Sequence, residues 1–208
     1  MKVLAINGSP RKDGNTAQAL NLMVQELNKE NIEVEIINIG DHVIRGCISC
    51  YYCTKNEEKL CANNDDAVNE TARKLRKADG VILAAPTYYG GIAGTMKAFL
   101  DRLFYINKGF LNFKVSTAIT IARRSGGVDV LHQLHNYLML SGTIQAPCQY
   151  WLIAHGRQPG ESMLDTEGVV CIQKNAMAMA WLLKIINAGK EEIPPPVYSA
   201  DVKTNFIR

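Results

Sequence analysis

The sequence predicts a three-layer α/β sandwich, a five-stranded parallel sheet with helices on both faces. Three observations predict it. Five short apolar runs alternate with five stretches of helical spacing. One run, "GVILAAP" (80–86), is continuously apolar, as a central strand covered on both faces must be. Each parallel neighbour also needs a crossover, and the helical stretches supply one.

The elements follow in order. "MKVLAIN" (1–7) is a buried strand bounded by Gly8, Ser9 and Pro10, and "NTAQALNLMVQELNKEN" follows as a helix with Ala19, Leu20, Met23 and Leu27 on one face. "IEVEIINI" (32–39) is the second strand. "DDAVNETARKLRKAD" is a helix started by Asn64 or Asp65 and ended near Gly80. The strand at 80–86 leads into the helix "GTMKAFLDRLFY", which lines up Met96, Phe99, Leu100 and Leu103. "KVSTAITIA" (114–122) is the fourth strand and "GVDVLHQLHNYLMLSG" the fourth helix. "APCQYWLIAHG" is the fifth strand and "CIQKNAMAMAWLLKIIN" the last helix.

A chain of 208 residues, 47% hydrophobic and 21% charged, fits one domain, expected over 1–190 with a cysteine-rich insert at 47–61. The Pro-rich end, 191–208, is expected to form an extended arm on the body or on a neighbouring subunit. A net charge of +3 with both signs interspersed gives no basic stripe for nucleic acid. No apolar run reaches the ~18 to 20 residues of a membrane span, and no signal peptide opens the chain, so no membrane association and a cytoplasmic location are expected. Thiols stay reduced there, which favours metal-binding or redox cysteines over structural disulfides.

In parallel sheets, ligands bind beyond the carboxyl ends of the strands. After strand one, "GSPRKDGNT" offers helix-start N–H groups, the hydroxyls of Ser9 and Thr16, the Asn15 amide and the Arg11 charge to a phosphate, with Gly14 allowing close approach. After strand three, Tyr88 and Tyr89 offer aromatic faces beside Gly90 and Gly91. After strand four, "ARRSGGVD" brings Gly126 and Gly127. A phosphate cradle, an aromatic shelf and a patch of backbone donors are what FMN requires. The chain lacks both the Walker A motif and G-x-G-x-x-G, which argues against an NTPase or a Rossmann dehydrogenase.

No acid–base constellation is evident, and flavin redox chemistry needs none. His132 and His135 read as helix-surface residues, while His42 and His155 are isolated. Asp101 and Arg102 read as helix or subunit contacts, and Cys148 and Cys171 as small buried residues.

Cys47, Cys50, Cys53 and Cys61 follow C-x2-C-x2-C-x7-C. The first three have the spacing by which a loop wraps a [4Fe–4S] cluster. A zinc site and a metal-free or partly oxidised loop are the alternatives.

With "GSPRKDGNT", "PTYYGGIAGTMKAFLDR" and the cysteine segment between them, the chain from Met1 to about Leu140 resembles the flavodoxin-like NADPH-dependent FMN reductase superfamily, and more narrowly its iron-sulfur flavoprotein branch. The resemblance implies strand order 2-1-3-4-5, a flavin-dependent oxidoreductase, and a homodimer or homotetramer. It implies FMN phosphate held by Ser9, Arg11, Asn15 and Thr16. The ring would be lined by Pro86, Thr87, Tyr88, Tyr89 and Gly90, with Tyr89 stacking, and its polar edge met by Ser125, Gly126 and Gly127. Cys61 would be the fourth cluster ligand, after a spacer longer than that branch's. The resulting expectation is electron transfer between a [4Fe–4S] cluster and FMN, with a ferredoxin-like donor. The alternatives are a cluster-free reductase of FMN or quinone using NAD(P)H, and a zinc-stapled flavin-binding module.

Overall fold

The computed structural model describes residues 1–198. Its main parallel strands are β1 (Lys2–Asn7), β2 (Glu33–Asn38), β3 (Gly80–Tyr88) and β5 (Val115–Ala122), joined in the order β2-β1-β3-β5. Two short strands, β6 (Ile144–Gln145) and β7 (Ile153–His155), share the outer edge of β5, both parallel to it. The order is the expected 2-1-3-4-5, with the fifth position divided. Residues 146–152 leave the edge between β6 and β7, where the sequence reading drew one strand. Asn175 of the last helix instead donates to the carbonyls of Ala146 and Pro147, both at 3.1 Å.

Side-chain alternation along β1 assigns the two faces. Val3 and Ala5 pack with Leu20, Met23, Met179 and Leu183 under α1 (Asn15–Lys29) and α6 (Thr166–Gly189). Leu4 and Ile6 pack with Leu75, Phe99, Leu103 and Leu134 under α3 (Val68–Lys77), α4 (Gly94–Ile106) and α5 (Gly127–Leu140). Burial of such side chains, about 1.5–3 kcal/mol each, holds the three layers together.

Two helix starts differ from those expected. α6 starts at Thr166, before the expected Cys171, because Asp165 accepts the Gly168 N–H at 3.0 Å and closes its first turn. The residue pattern had shown no span of bilayer length, yet α6, at 24 residues, is long and apolar enough by composition alone. Its Ile172, Ala176 and Met179 lie in the core. α3 starts at Val68, after the expected Asn64 or Asp65; its N-cap is Ala67, which makes no side-chain cap, and Asp66 just before it turns the chain by accepting the Val68 N–H at 3.1 Å.

A two-residue strand, β4 (Gly91–Ile92), pairs antiparallel with the end of β3 and was not anticipated. Of the arm expected over 191–208, residues 191–198 are exposed and carry no helix or strand, and the rest lies outside the described residues.

Candidate functional site

Sheet register brings three of the singled-out loops to one edge. Asn7 pairs with Ala84 and Pro86 with Ile121, so β1, β3 and β5 end side by side. The loops 8–14, 89–90 and 123–126 leave from there. Gly126, at φ +82°, packs against the second loop: a Cβ on it would lie 3.2 Å from Gly90 Cα and 3.3 Å from Thr87 Cγ2.

The first loop is closed from within. Ser9 donates its N–H to Asn7 Oδ1 at 3.0 Å, Arg11 N–H donates to Ser9 Oγ at 3.2 Å, and Gly14 N–H to the Arg11 carbonyl at 3.1 Å. Gly40 presses on this loop so closely that a Cβ there would overlap the Ser9 backbone. Thr16 is buried in the first turn of α1 and Arg11 is exposed. The Asn15 carboxamide, expected at a phosphate, is hydrogen-bonded to residues 158–162. It donates to the Gln158 carbonyl and accepts from Gly160 N–H, both at 2.9 Å. Two N–H-rich segments far apart in sequence are thereby tied together.

The second loop is left-handed at Tyr89 (φ +50°) and Gly90 (φ +71°). The turn throws the Tyr89 ring fully into solvent, while Tyr88 is half exposed. Just before them the Thr87 hydroxyl is buried without a hydrogen-bond partner among the described residues. Such a group costs about 1–3 kcal/mol if nothing ever satisfies it. An orphaned hydroxyl, a glycine contact that admits no Cβ and an open helix start fit a ligand with polar edges and a phosphate.

The sequence reading missed one pair on this edge. His155, at the end of β7, donates its N–H to Asp165 at 2.8 Å and holds its ring Nδ1 3.0 Å from the same oxygen. Burial pushes the Asp165 carboxyl up, but the N–H groups of Gly168 and His155 and the ring of His155 outweigh it, leaving the group below the usual range. The pair borders a cavity of about 310 Å³ shared with Ser125, Gly126, Gly127, Tyr150 and Trp151. The partners lie ten positions apart, with a turn of 3-10 helix (Glu161–Met163) between them, so spacing gave no sign.

The cysteine segment follows β2 and has a built shape. Ser49 (φ +53°) and Tyr51 (φ +55°) turn left-handed on either side of Cys50, and one helical turn, α2 (Tyr52–Lys55), carries Cys53. These reversals bring Cys47, Cys50, Cys53 and Cys61 to the wall of one cavity of about 300 Å³ against Arg102 and Tyr105 of α4. Burial pushes the Cys53 thiol up, and the other three thiols add to that push. All four are free thiols, Cys47 and Cys50 exposed and Cys53 and Cys61 partly buried. Among the described residues, no three His, Cys, Asp or Glu side chains are grouped to hold a single metal ion.

The seven-residue spacer before Cys61 is folded. Asn56 grips Leu60 through both its N–H (3.1 Å) and its carbonyl (2.9 Å). Asn69 does the same to Cys61, at 2.8 and 3.0 Å. Arg102, read from sequence as a helix or subunit contact, is instead buried inside its own chain and bound to this segment. Asp101 stays on α4, with Lys97 and the Tyr137 hydroxyl on its carboxylate.

Residues 1–158 match the NADPH-dependent FMN reductase family. The chain belongs to that family. It is a flavin-dependent oxidoreductase that binds FMN, and it falls with the iron-sulfur flavoproteins. An iron-sulfur flavoprotein of Methanocaldococcus jannaschii is 33% identical over 194 residues, 89% of this chain and 99% of that one. Among solved structures, RosB with a bound riboflavin 5'-phosphate derivative superposes with TM-score 0.72 at 20% identity, covering 100% of this chain and 94% of that one. A flavodoxin from the domain Archaea superposes with TM-score 0.58 at 14% identity, covering 88% and 99%. These superpositions carry the flavodoxin-like fold.

Proposed function

We propose that this protein is a cytoplasmic iron-sulfur flavoprotein that passes electrons between a [4Fe–4S] cluster and FMN. The observation that carries this reading is the convergence of all four cysteines of one segment on a single cavity. Four thiolates around a space of that size suit a cluster better than one zinc ion, whose ligands would close to ~2.3 Å from a common point. Cys47, Cys50, Cys53 and Cys61 are the ligands in this proposal.

The flavin is assigned to the sheet edge. Ser9, Arg11, Thr16 and the backbone of Asn15 hold its phosphate, where the start of α1 favours negative charge. Pro86, Thr87, Tyr88, Tyr89 and Gly90 line its ring, and Ser125, Gly126 and Gly127 meet its polar edge. FMN supplies the ability to store two electrons and release them singly. The residues position it, exclude water and satisfy its hydrogen-bonding edge, with the Thr87 hydroxyl gaining the partner it lacks.

Metal and flavin analysis after anaerobic purification tests this reading. Iron, sulfide and FMN in fixed ratio, with a cluster EPR signal on reduction, are expected. Flavin without iron or sulfide would overturn it. A ferredoxin-like protein is the proposed donor, and the chain is proposed to work as a homodimer or homotetramer. Val170, Met177, Trp181 and Ile185 support association, forming an exposed apolar stripe on α6. Light scattering at several concentrations checks it, with a monomer as the contrary result.

Exposure of Cys47 and Cys50 favours the second reading, a cluster-free NAD(P)H-dependent reductase of FMN or quinone. Rapid flavin reduction by NAD(P)H in stopped-flow, in protein without iron, would establish it.

A further inference from the structure

Arg102 lies on α4, 2% exposed, and its guanidinium reaches Cys61 and three points of the chain flanking the cysteine segment. Nε donates to Cys61 Sγ at 3.3 Å, and one terminal nitrogen to the Arg45 carbonyl at 3.1 Å and to the Asp66 carboxylate. The other terminal nitrogen donates to the Asn63 carbonyl at 2.9 Å. Arg45 precedes Cys47 and Asn63 follows Cys61, so one planar group ties both ends of the segment to the cavity floor. Only an arginine presents donors in a rigid fork of this breadth.

The arrangement is costly unless it has a use. A buried arginine is stranded without partners, and Asp66, 4% exposed, is its ion-pair partner among the described residues. A structural strut needs backbone carbonyls and a carboxylate and has no need of a sulfur. The fork nevertheless spends its Nε–H on Cys61. Asn69 already fixes the Cys61 backbone from both sides, so this hydrogen bond adds nothing to holding the chain and acts on the sulfur itself.

We infer that Arg102 is a positioning residue that aims the Cys61 sulfur into the cavity as the fourth cluster ligand and, by donating to that sulfur, sets the cluster's reduction potential. The inference rests on the iron-sulfur reading above. A hydrogen bond and a buried positive charge at a ligating sulfur favour the reduced, more negative state, so their loss lowers the potential. Partners of ligating atoms typically contribute about 10–100-fold to metal retention.

The test uses the full chain, purified without oxygen, as wild type, Arg102→Lys, Cys61→Ser and the paired change Arg102→Gln with Asp66→Asn. The pair removes both buried charges together and so avoids leaving a lone carboxylate, and FMN content in each variant reports the fold. In Arg102→Lys and in the pair, iron retention against a chelator is expected to fall about 10–100-fold. A [3Fe–4S] EPR signal is expected in the oxidised state, as in Cys61→Ser, and the midpoint of the remaining four-iron cluster moves negative. Wild-type retention and midpoint in the flavin-loaded Arg102 variants, with Cys61→Ser defective, overturn the inference and leave the iron-sulfur reading standing. Wild-type protein that holds flavin but neither iron nor sulfide overturns both.

Discussion

The Asn15 carboxamide and the backbone of Gly160 meet at 2.9 Å, a bond across 145 residues that fastens the first turn of α1 to the loop after β7. The Asn15 side chain is buried, and its oxygen also accepts from Ser162 N–H at 3.3 Å. Removing the carboxamide takes the acceptor from the buried Ser162 N–H and the half-buried Gly160 N–H. Asn15→Ala is expected to cost about 2–4 kcal/mol, as unsatisfied buried groups do. Urea unfolding of the apoprotein measures this, and a midpoint near wild type would show that the clamp carries no stability.

Thr87 allows binding to be separated from folding. Its buried hydroxyl has no partner among the described residues, so Thr87→Val removes no hydrogen bond seen there. The apoprotein should be as stable as wild type or more so. FMN affinity should fall about 2–10-fold, the worth of one neutral hydrogen bond. Flavin fluorescence titration beside an apoprotein melt reads both, and unchanged affinity would remove Thr87 from the site.

Gly126 has both a left-handed backbone and a neighbour too close for a side chain. Gly126→Ala is expected to cost about 1–2 kcal/mol through the backbone alone, and more through contact with Gly90. The loop would shift, so FMN affinity should drop in the same variant. Retained affinity would place the ring elsewhere.

Tyr89 is held left-handed with its ring in solvent. If it stacks on the flavin, Tyr89→Ala weakens FMN binding by about 2–12-fold, the range for an aromatic pair, and leaves apoprotein stability within about 0.5 kcal/mol. The same titration and melt decide it, and a large stability loss would assign the ring a folding role.

His135 gives a pH dependence. Burial holds its ring below the ordinary value, the hydrogen bond with Gln145 pulls the other way, and His132 adds to the lowering. Below about pH 6.5 the unfolded chain binds a proton that the folded chain refuses. Stability is therefore full above that pH and falls as the pH drops toward the folded value. Urea midpoints from pH 7 to 5 should decline less in His135→Gln than in wild type. Equal slopes would show that His135 is not the group responsible.

The sequence by itself determined the layers and the loops. Apolar period and run length depend on neighbours within a few residues, so "GVILAAP" announced a buried strand and Met96, Phe99, Leu100 and Leu103 a helix face before any coordinates. Glycines and hydroxyls after β1, β3 and β5 marked the sheet edge to which the flavin is assigned in our proposal, for the same reason. Only the tertiary structure decided which side chains meet across long separations. Asn15 faces Gly160 instead of the open loop, His155 leans on Asp165, and Arg102 grips Cys61 from 41 residues away. Such pairings depend on how helices pack over the sheet, which spacing along the chain does not encode. Cys61 shows the difference most clearly: its spacer is longer than the iron-sulfur flavoprotein branch's, and only the fold shows Asn56, Asn69 and Arg102 holding it against the cavity.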